Sequence, residues 1–161
     1  MSDPVHVVRP LADDAEAAEC ARIMANSEPW LTLGRSYEAS LAAVRDPAKE
    51  VHVLVQGSQI LGFVILDMRG AFRGFLQTIC VHSDHRGAGL GTHLLEWAEE
   101  RVFRESPNFF LCVSSFNTRA RRLYERRGYT VVGELTDFLV PGHGEILLRK
   151  TRGPWAVFSK R

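Results

Sequence analysis

The segment Val81-His82-Ser83-Asp84-His85-Arg86-Gly87-Ala88-Gly89-Leu90-Gly91-Thr92 constrains this chain more than any other stretch. An apolar strand pattern, Phe75 to Val81, runs into it. A helical stripe of Leu94, Leu95, Ala98 and Val102 runs out of it, to about Arg104. The alternating glycines let the backbone take otherwise strained angles and come close to a bound group. The first turn of the following helix has unpaired N–H groups and a positive dipole end. After a break at Ser106-Pro107-Asn108 comes a second apolar strand, Phe109 to Val113. This strand–loop–helix–strand unit predicts a parallel pair joined by a right-handed crossover. It also predicts an anion site where the loop meets the helix, with Arg86 adding charge-assisted hydrogen bonds.

The rest of the chain supplies a sheet around that pair. Val5 to Val8 reads as a first strand that Pro10 ends. Asp13 or Asp14 caps a helix to about Met24, with Ala17, Cys20, Ala21 and Met24 facing inward. Pro29-Trp30 and Gly34 interrupt it, and Ser36 caps a short helix from Tyr37 to Val44. Val51–Val55 and Ile60–Leu66 form a hairpin around Gly57-Ser58. Asn117 starts a helix through Arg127 that Gly128 stops. Tyr129–Leu135 and Glu145–Lys150 are the last strands, and the tail 151–161 has no readable pattern. The expected fold is α/β with a mixed, mostly antiparallel twisted sheet of about seven strands and about four helices on its two faces. No repeat or linker divides the chain, so one domain is expected over 1–161, with its core at about 5–150.

Composition excludes several classes. A formal net charge of +1 gives no global drive toward nucleic acid or acidic membranes. An apolar share of 45% and a charged share of 24% are those of a globular protein, not a disordered one. Cys20, Cys80 and Cys112 form no CxxC pair and no metal-ligand spacing with histidine, and read as buried small side chains in a reducing compartment. Met1-Ser2-Asp3-Pro4 opens no secretory signal, and no apolar run is long enough to span a bilayer. A cytoplasmic protein is expected.

Among phosphate-binding loops, a P-loop requires a lysine that Gly91-Thr92-His93 lacks. A dinucleotide fingerprint counted from Gly87 meets Thr92 where its last glycine belongs. Arg86-Gly87-Ala88-Gly89-Leu90-Gly91 instead resembles the Gln/Arg-x-x-Gly-x-Gly/Ala signature of the GNAT acetyltransferases. A second signature of that family is similar to Asn117, Tyr124 and Gly128-Tyr129, in the right order and separation. The resemblance covers roughly Val5 to Lys150.

That resemblance implies a GNAT fold in which Phe75–Val81 and Phe109–Val113 splay apart, with the pantetheine arm of acetyl-CoA in the gap. Backbone groups of Ile79, Cys80 and Val81 would pair with the arm and stabilise the oxyanion. The N–H groups of Arg86, Gly87, Ala88, Gly89, Leu90, Gly91 and Thr92 would hold the pyrophosphate, and Asn117 the arm. Tyr124 matches the family's general acid, which protonates the leaving thiolate. Spacing alone leaves Tyr124 equally a core tyrosine beside Ala120 and Leu123; the flanking motif favours catalysis. One related class, acting on ribosomal protein N-termini, carries a glutamate base five residues before the asparagine. Here that residue is Cys112. Asp67, Glu145, Glu38 and His82 are candidate bases, each read as a solvated surface residue.

The implied reaction is N-acetylation of a primary amine, on a small molecule or a peptide, with acetyl-CoA as cosubstrate. Trp30 and Tyr37 read equally as a wall of the acceptor pocket and as core anchors of a loop. His143 and Phe72 are weaker candidates for the cleft. Arg119, Arg122 and Arg126 share a helix face, either solvated or toward the adenosine 3′-phosphate. His82, Asp84 and His85 are too loosely spaced for a metal site, so no metal is expected. A homodimer through exposed Trp97, or through Trp155 and Phe158 in the tail, fits the family's habits. A non-catalytic CoA-binding sensor is the alternative function. A nucleic-acid binder using the arginine face lacks a recognised module.

Overall fold

The computed structural model describes residues 5–160. The leaderless reading of Met1–Pro4 lies outside the described residues.

Among the described residues there are seven strands and four α-helices. The strands are β1 (Val7–Pro10), β2 (Glu50–Gln56), β3 (Gln59–Asp67), β4 (Phe75–Val81), β5 (Asn108–Ser114), β6 (Thr130–Leu135) and β7 (Glu145–Thr151). The helices are α1 (Asp14–Ala25), α2 (Tyr37–Val44), α3 (Leu90–Phe103) and α4 (Thr118–Arg126). They form one sheet in the order β1-β2-β3-β4-β5-β7-β6. All neighbours are antiparallel except β4 and β5, which run parallel across the α3 crossover. The mixed sheet expected from sequence is therefore present.

Local signals place the helices. The Asp13 side chain accepts from the Glu16 N–H at 2.9 Å, and the Ser36 hydroxyl accepts from the Ala39 N–H at 3.1 Å. The first strand sits two residues later than Val5–Val8. It is an edge strand in which Pro10 lies opposite His52, a place where a missing N–H is tolerated.

Two apolar layers cover the two faces. Leu54, Val64, Leu66, Leu94, Leu95 and Phe109 belong to the core beneath α3 and α4. Ala17, Cys20, Met24, Val53, Phe63 and Ile65 belong to the core beneath α1 and α2. Each fully buried Leu, Val, Ile or Phe contributes about 1.5–3 kcal/mol, so these layers dominate the fold's stability. Trp97, expected to be exposed, is half-buried against this core with its ring 4.4 Å from that of His52. Arg101 with Glu50 and Arg45 with Asp14, both at 2.6 Å, tie helices down at the surface.

Gly74 sits where β4 begins its parallel pairing. Its carbonyl accepts from the Phe110 N–H at 2.9 Å, and its φ is +92°. A Cβ there would run into the Asn108 carbonyl oxygen and lie 2.6 Å from a Val102 methyl. Gly74→Ala is expected to destabilise the protein by more than about 2 kcal/mol, read as a lowered urea midpoint with unchanged slope.

Candidate active site

The parallel pair is short. β4 meets β5 only at Phe75↔Phe110 and Leu76↔Leu111 and then departs from it. The departure coincides with a bulge: Ile65 of β3 faces Thr78 and Leu66 faces Leu76, so Gln77 is an extra residue on β4. A bulge bends its strand and shifts which backbone groups face which neighbour. The His82 N–H bonds back to the Leu61 carbonyl at 2.8 Å. By the two-residue alternation of a strand, Cys80 then also turns its backbone toward β3, and Ile79 and Val81 turn theirs to the open side. All three residues expected to bind the cosubstrate line the first cavity of the gap; the backbones of Ile79 and Val81 face the open side, and that of Cys80 faces β3.

Past Val81 the chain makes a 3₁₀ turn at Ser83–His85 and enters the glycine loop. Gly87 and Gly89 have φ of +81° and +76°, which explains glycine there; a Cβ at either would meet open space. Gly89 is the N-cap of α3 and offers no side-chain cap. The His93 N–H closes the first helical bond to the Gly89 carbonyl at 3.0 Å. The N–H groups of Leu90, Gly91 and Thr92 thus remain free of the helix ladder and point at the cavity above them. Arg86 lies alongside, its Nε donating to the Val81 carbonyl at 3.3 Å.

This cavity has a volume of about 470 Å³ and is lined by every loop residue from Arg86 to Thr92 except Ala88. Arg119 and Arg126 of α4 also line it, and Arg122 does not. Among the described residues neither Arg119 nor Arg126 has an acidic partner, whereas Arg121 pairs with Glu125 at 3.1 Å and Arg127 with Glu96 at 2.8 Å. Two unpaired guanidinium groups and three free N–H groups around one cavity suit a polyphosphate. Asn117 caps α4, its side-chain oxygen accepting from the Ala120 N–H at 3.3 Å. Its NH₂ remains a donor toward the gap.

A second cavity, of about 400 Å³, shares Ile79, Asn117, Trp30 and Glu28 with the first and continues along the gap. Tyr124, Cys112, Ser114 and Glu145 line one side. Trp30, Leu33 and Arg35 line the other, and Phe138 and Leu139 of the β6–β7 loop close the end. Tyr124 is 8% exposed and packs edge-on to Tyr129 with ring centres 5.6 Å apart. The two phenols differ in availability. Tyr129 is committed to Glu99 through a 3.0 Å hydrogen bond, while among the described residues no partner engages the Tyr124 hydroxyl. Burial pushes the Tyr124 phenol up to about 12, so it is protonated at any working pH.

Burial pushes Cys20 up to about 12 and Cys80 and Cys112 to about 11, which leaves them thiols at neutral pH. Cys112 is half-buried and faces the cavity, so the expectation of three buried cysteines holds for two. Among the candidate bases, Asp67 is bound to Lys49 and Glu38 is exposed on α2. His82 accepts from the Asp84 N–H at 3.1 Å, away from both cavities of the gap. Glu145, expected to be solvated, is 3% exposed and lines the second cavity.

The other expectations divide. Trp30 is half-buried and lines both cavities; Tyr37 is 39% exposed and lines neither. Tyr37 opens α2, one residue past the Ser36 cap, and that places its ring at the surface. His143 stacks edge-on to Phe116 at 5.2 Å and Phe72 on Phe110 at 5.0 Å, both outside the cavity linings. Arg35, Ser114, Phe138 and Leu139 were not anticipated; they come from segments without a motif, and only folding brings them together. Among the described residues no three His, Cys, Asp or Glu side chains converge as metal ligands, and no helix is long and apolar enough to cross a membrane.

Residues 10–129 match the family model described as the acetyltransferase (GNAT) family. N-alpha-acetyltransferase 40 of Saccharomyces cerevisiae is 33% identical over 139 residues, which is 71% of this chain and 46% of that protein. The chain thus matches less than half the length of this curated relative. A GNAT-family acetyltransferase from Desulfovibrio desulfuricans superposes with a TM-score of 0.75, at 19% identity, over 91% of this chain and 99% of its own. An aminoglycoside 6′-N-acetyltransferase complexed with coenzyme A superposes with a TM-score of 0.72, at 16% identity, over 92% and 98%. With both signatures seated around one split sheet and the family model matching most of the chain, the protein belongs to the GNAT acetyltransferase family.

Proposed function

We propose that the protein transfers an acetyl group from acetyl-CoA to a primary amine of a small molecule or peptide, by direct attack with both substrates bound. The observation that carries this reading is the free Tyr124 hydroxyl facing the cavity beyond the open edge of β4. The donor's charged end fits the first cavity. There the N–H groups of Leu90, Gly91 and Thr92 would hold a pyrophosphate, with Arg86, Arg119 and Arg126 adding positive charge. The amide-bearing arm fits between β4 and β5, where the backbones of Ile79 and Val81 supply strand-like hydrogen bonds and the Asn117 amide a further donor. Nearby backbone N–H groups of β4 would stabilise the negative charge that develops on the thioester oxygen.

Acetyl-CoA supplies the activated acyl group. The amine nitrogen bonds to its carbonyl carbon, the C–S bond breaks, and the Tyr124 phenol gives its proton to the departing sulfur. A phenol with a pKa pushed up to about 12 is a weak acid in water. A thiolate expelled beside the same buried phenol is desolvated as well, which raises its own basicity and keeps the transfer feasible. Burial raises all three thiols, which disfavours an acyl-enzyme route through cysteine. The coenzyme A complex of the aminoglycoside acetyltransferase and the N-terminal activity named for the yeast relative support the donor and the amine class. Unpaired thiols and the reaction's cosubstrate fit a cytoplasmic setting.

The test is thiol release from acetyl-CoA with spermidine, kanamycin, lysine and a tetrapeptide with a free N-terminus. At least one is expected to be acetylated, with Tyr124→Phe lowering kcat by about 10²–10⁴ while CoA affinity is kept. Tight CoA binding without thiol release from any amine would favour the sensor reading instead. Replacing Arg119 and Arg126 together by Ala is expected to weaken CoA binding about tenfold at low ionic strength and less at high salt, measured by calorimetry.

A further inference from the structure

We infer that the Glu145 carboxylate takes the proton from the incoming ammonium, the role that one related class gives to a glutamate at the position held here by Cys112. This rests on the acetyl-transfer reading and deepens it. A protonated amine has no lone pair, so some group must accept a proton before the nitrogen can attack. On β5 the position five residues before Asn117 holds Cys112, whose thiol is too weak a base when neutral and too costly to ionise. The sheet order supplies a substitute from the neighbouring strand. β7 lies beside β5, and its register sets Glu145 opposite Ser114 and Leu147 opposite Cys112. Glu145 therefore starts β7 at the cavity that holds Tyr124 and Cys112.

Its surroundings suit a base. It is 3% exposed, yet its only side-chain hydrogen bond among the described residues is from the Ser114 hydroxyl at 2.9 Å. A buried carboxylate normally gathers more donors or a cation, so one with a single hydrogen bond has capacity left for an ammonium. No lysine or arginine of the described residues pairs with it. Burial pushes its carboxyl above the usual range; the Ser114 bond, and then His143, oppose that. The titratable and charged groups around it are Cys112 on β5, Tyr124 on α4, His143 in the loop before β7 and Glu134 on β6, whose carboxylate lies against Gly144. Arg35 and Glu28 line the same cavity from the other side.

The protons balance. Glu145 takes one from R–NH₃⁺ and later releases it to water. The amine nitrogen bonds to the thioester carbon, and the C–S pair leaves with sulfur. Tyr124 protonates that sulfur and recovers a proton from the nitrogen as the amide forms. The net products are the amide, CoA thiol and one proton.

The experiment combines kinetics on spermidine and the tetrapeptide with a carbon-13 titration of the Glu145 carboxyl in the unliganded protein. Wild-type kcat/KM is expected to fall on the acid side with the midpoint at which the Glu145 carboxyl titrates, because this parameter reports the free enzyme. Glu145→Gln keeps the size and can still accept from Ser114. It is expected to lose about 10²–10⁴ in kcat/KM at neutral pH, to lose that limb, and to regain activity as pH rises toward the amine's own pKa. Ser114→Ala removes a donor that favours the carboxylate, so the kinetic limb and the carboxyl titration are expected to move to higher pH together. A Glu145→Gln enzyme within fivefold of wild type, or a limb whose midpoint differs from the carboxyl titration, overturns the assignment and leaves acetyl transfer standing. Failure of the wild type to acetylate any amine removes both.

Discussion

One extra residue in one strand organises this molecule. At Gln77 the β4 strand gains a residue relative to β3, bends, and leaves β5 after two rungs. The gap cannot close, because each strand is held elsewhere. β4 remains paired with β3 up to Val81, and β5 remains paired with β7 along its whole length. Apolar layers on both faces fix the two halves of the sheet from above and below. An edge is thus created inside a sheet, where the Ile79 and Val81 backbones lack a strand partner and the Val81 carbonyl is taken by the Arg86 side chain. Such groups are costly unless water or a ligand satisfies them. Sheet edges ordinarily invite unwanted pairing, but this one lies in cavities lined by α3, α4, the Glu28–Arg35 segment and the β6–β7 loop.

Charge is distributed to match. Away from the cleft several basic groups are neutralised locally: Arg9 by Glu16, Arg45 by Asp14, Arg101 by Glu50, Arg127 by Glu96 and Lys150 by Glu99. Around the gap, Arg35, Arg119 and Arg126 have no acidic partner among the described residues. The same contrast separates the two stacked tyrosines, one committed to Glu99 and one open to the cavity. Both patterns leave polar groups around the gap uncommitted and so available to a ligand.

The sequence made the scaffold and one half of the site readable, since both are written locally. A strand into glycines into an amphipathic helix specifies the β4–α3 turn, and Asn117 with Gly128 brackets α4 within a few residues. The bulge at Gln77 carries no such mark, because Gln77 is an ordinary strand residue and its pairing depends on β3. For that reason Cys80 could not be told from Ile79 and Val81 by inspection. The second cavity is assembled across long separations, from the Glu28–Arg35 segment, the β6–β7 loop and the start of β7. Glu145 looks like a polar residue at a strand end until the order β5-β7-β6 buries it beside Ser114. Tyr37, by contrast, sat in a plausible segment but on the outer side of α2.

The most direct measurement is residue-resolved hydrogen exchange of the β4 amides with and without saturating CoA. If the arm of the donor completes the open edge, exchange slows selectively at Ile79 and Val81 and at the Leu90–Thr92 amides. Cys80, already turned toward β3, changes little by comparison. Tight CoA binding with Ile79 and Val81 exchanging as fast as before would contradict the idea that the split between β4 and β5 is what receives the cosubstrate.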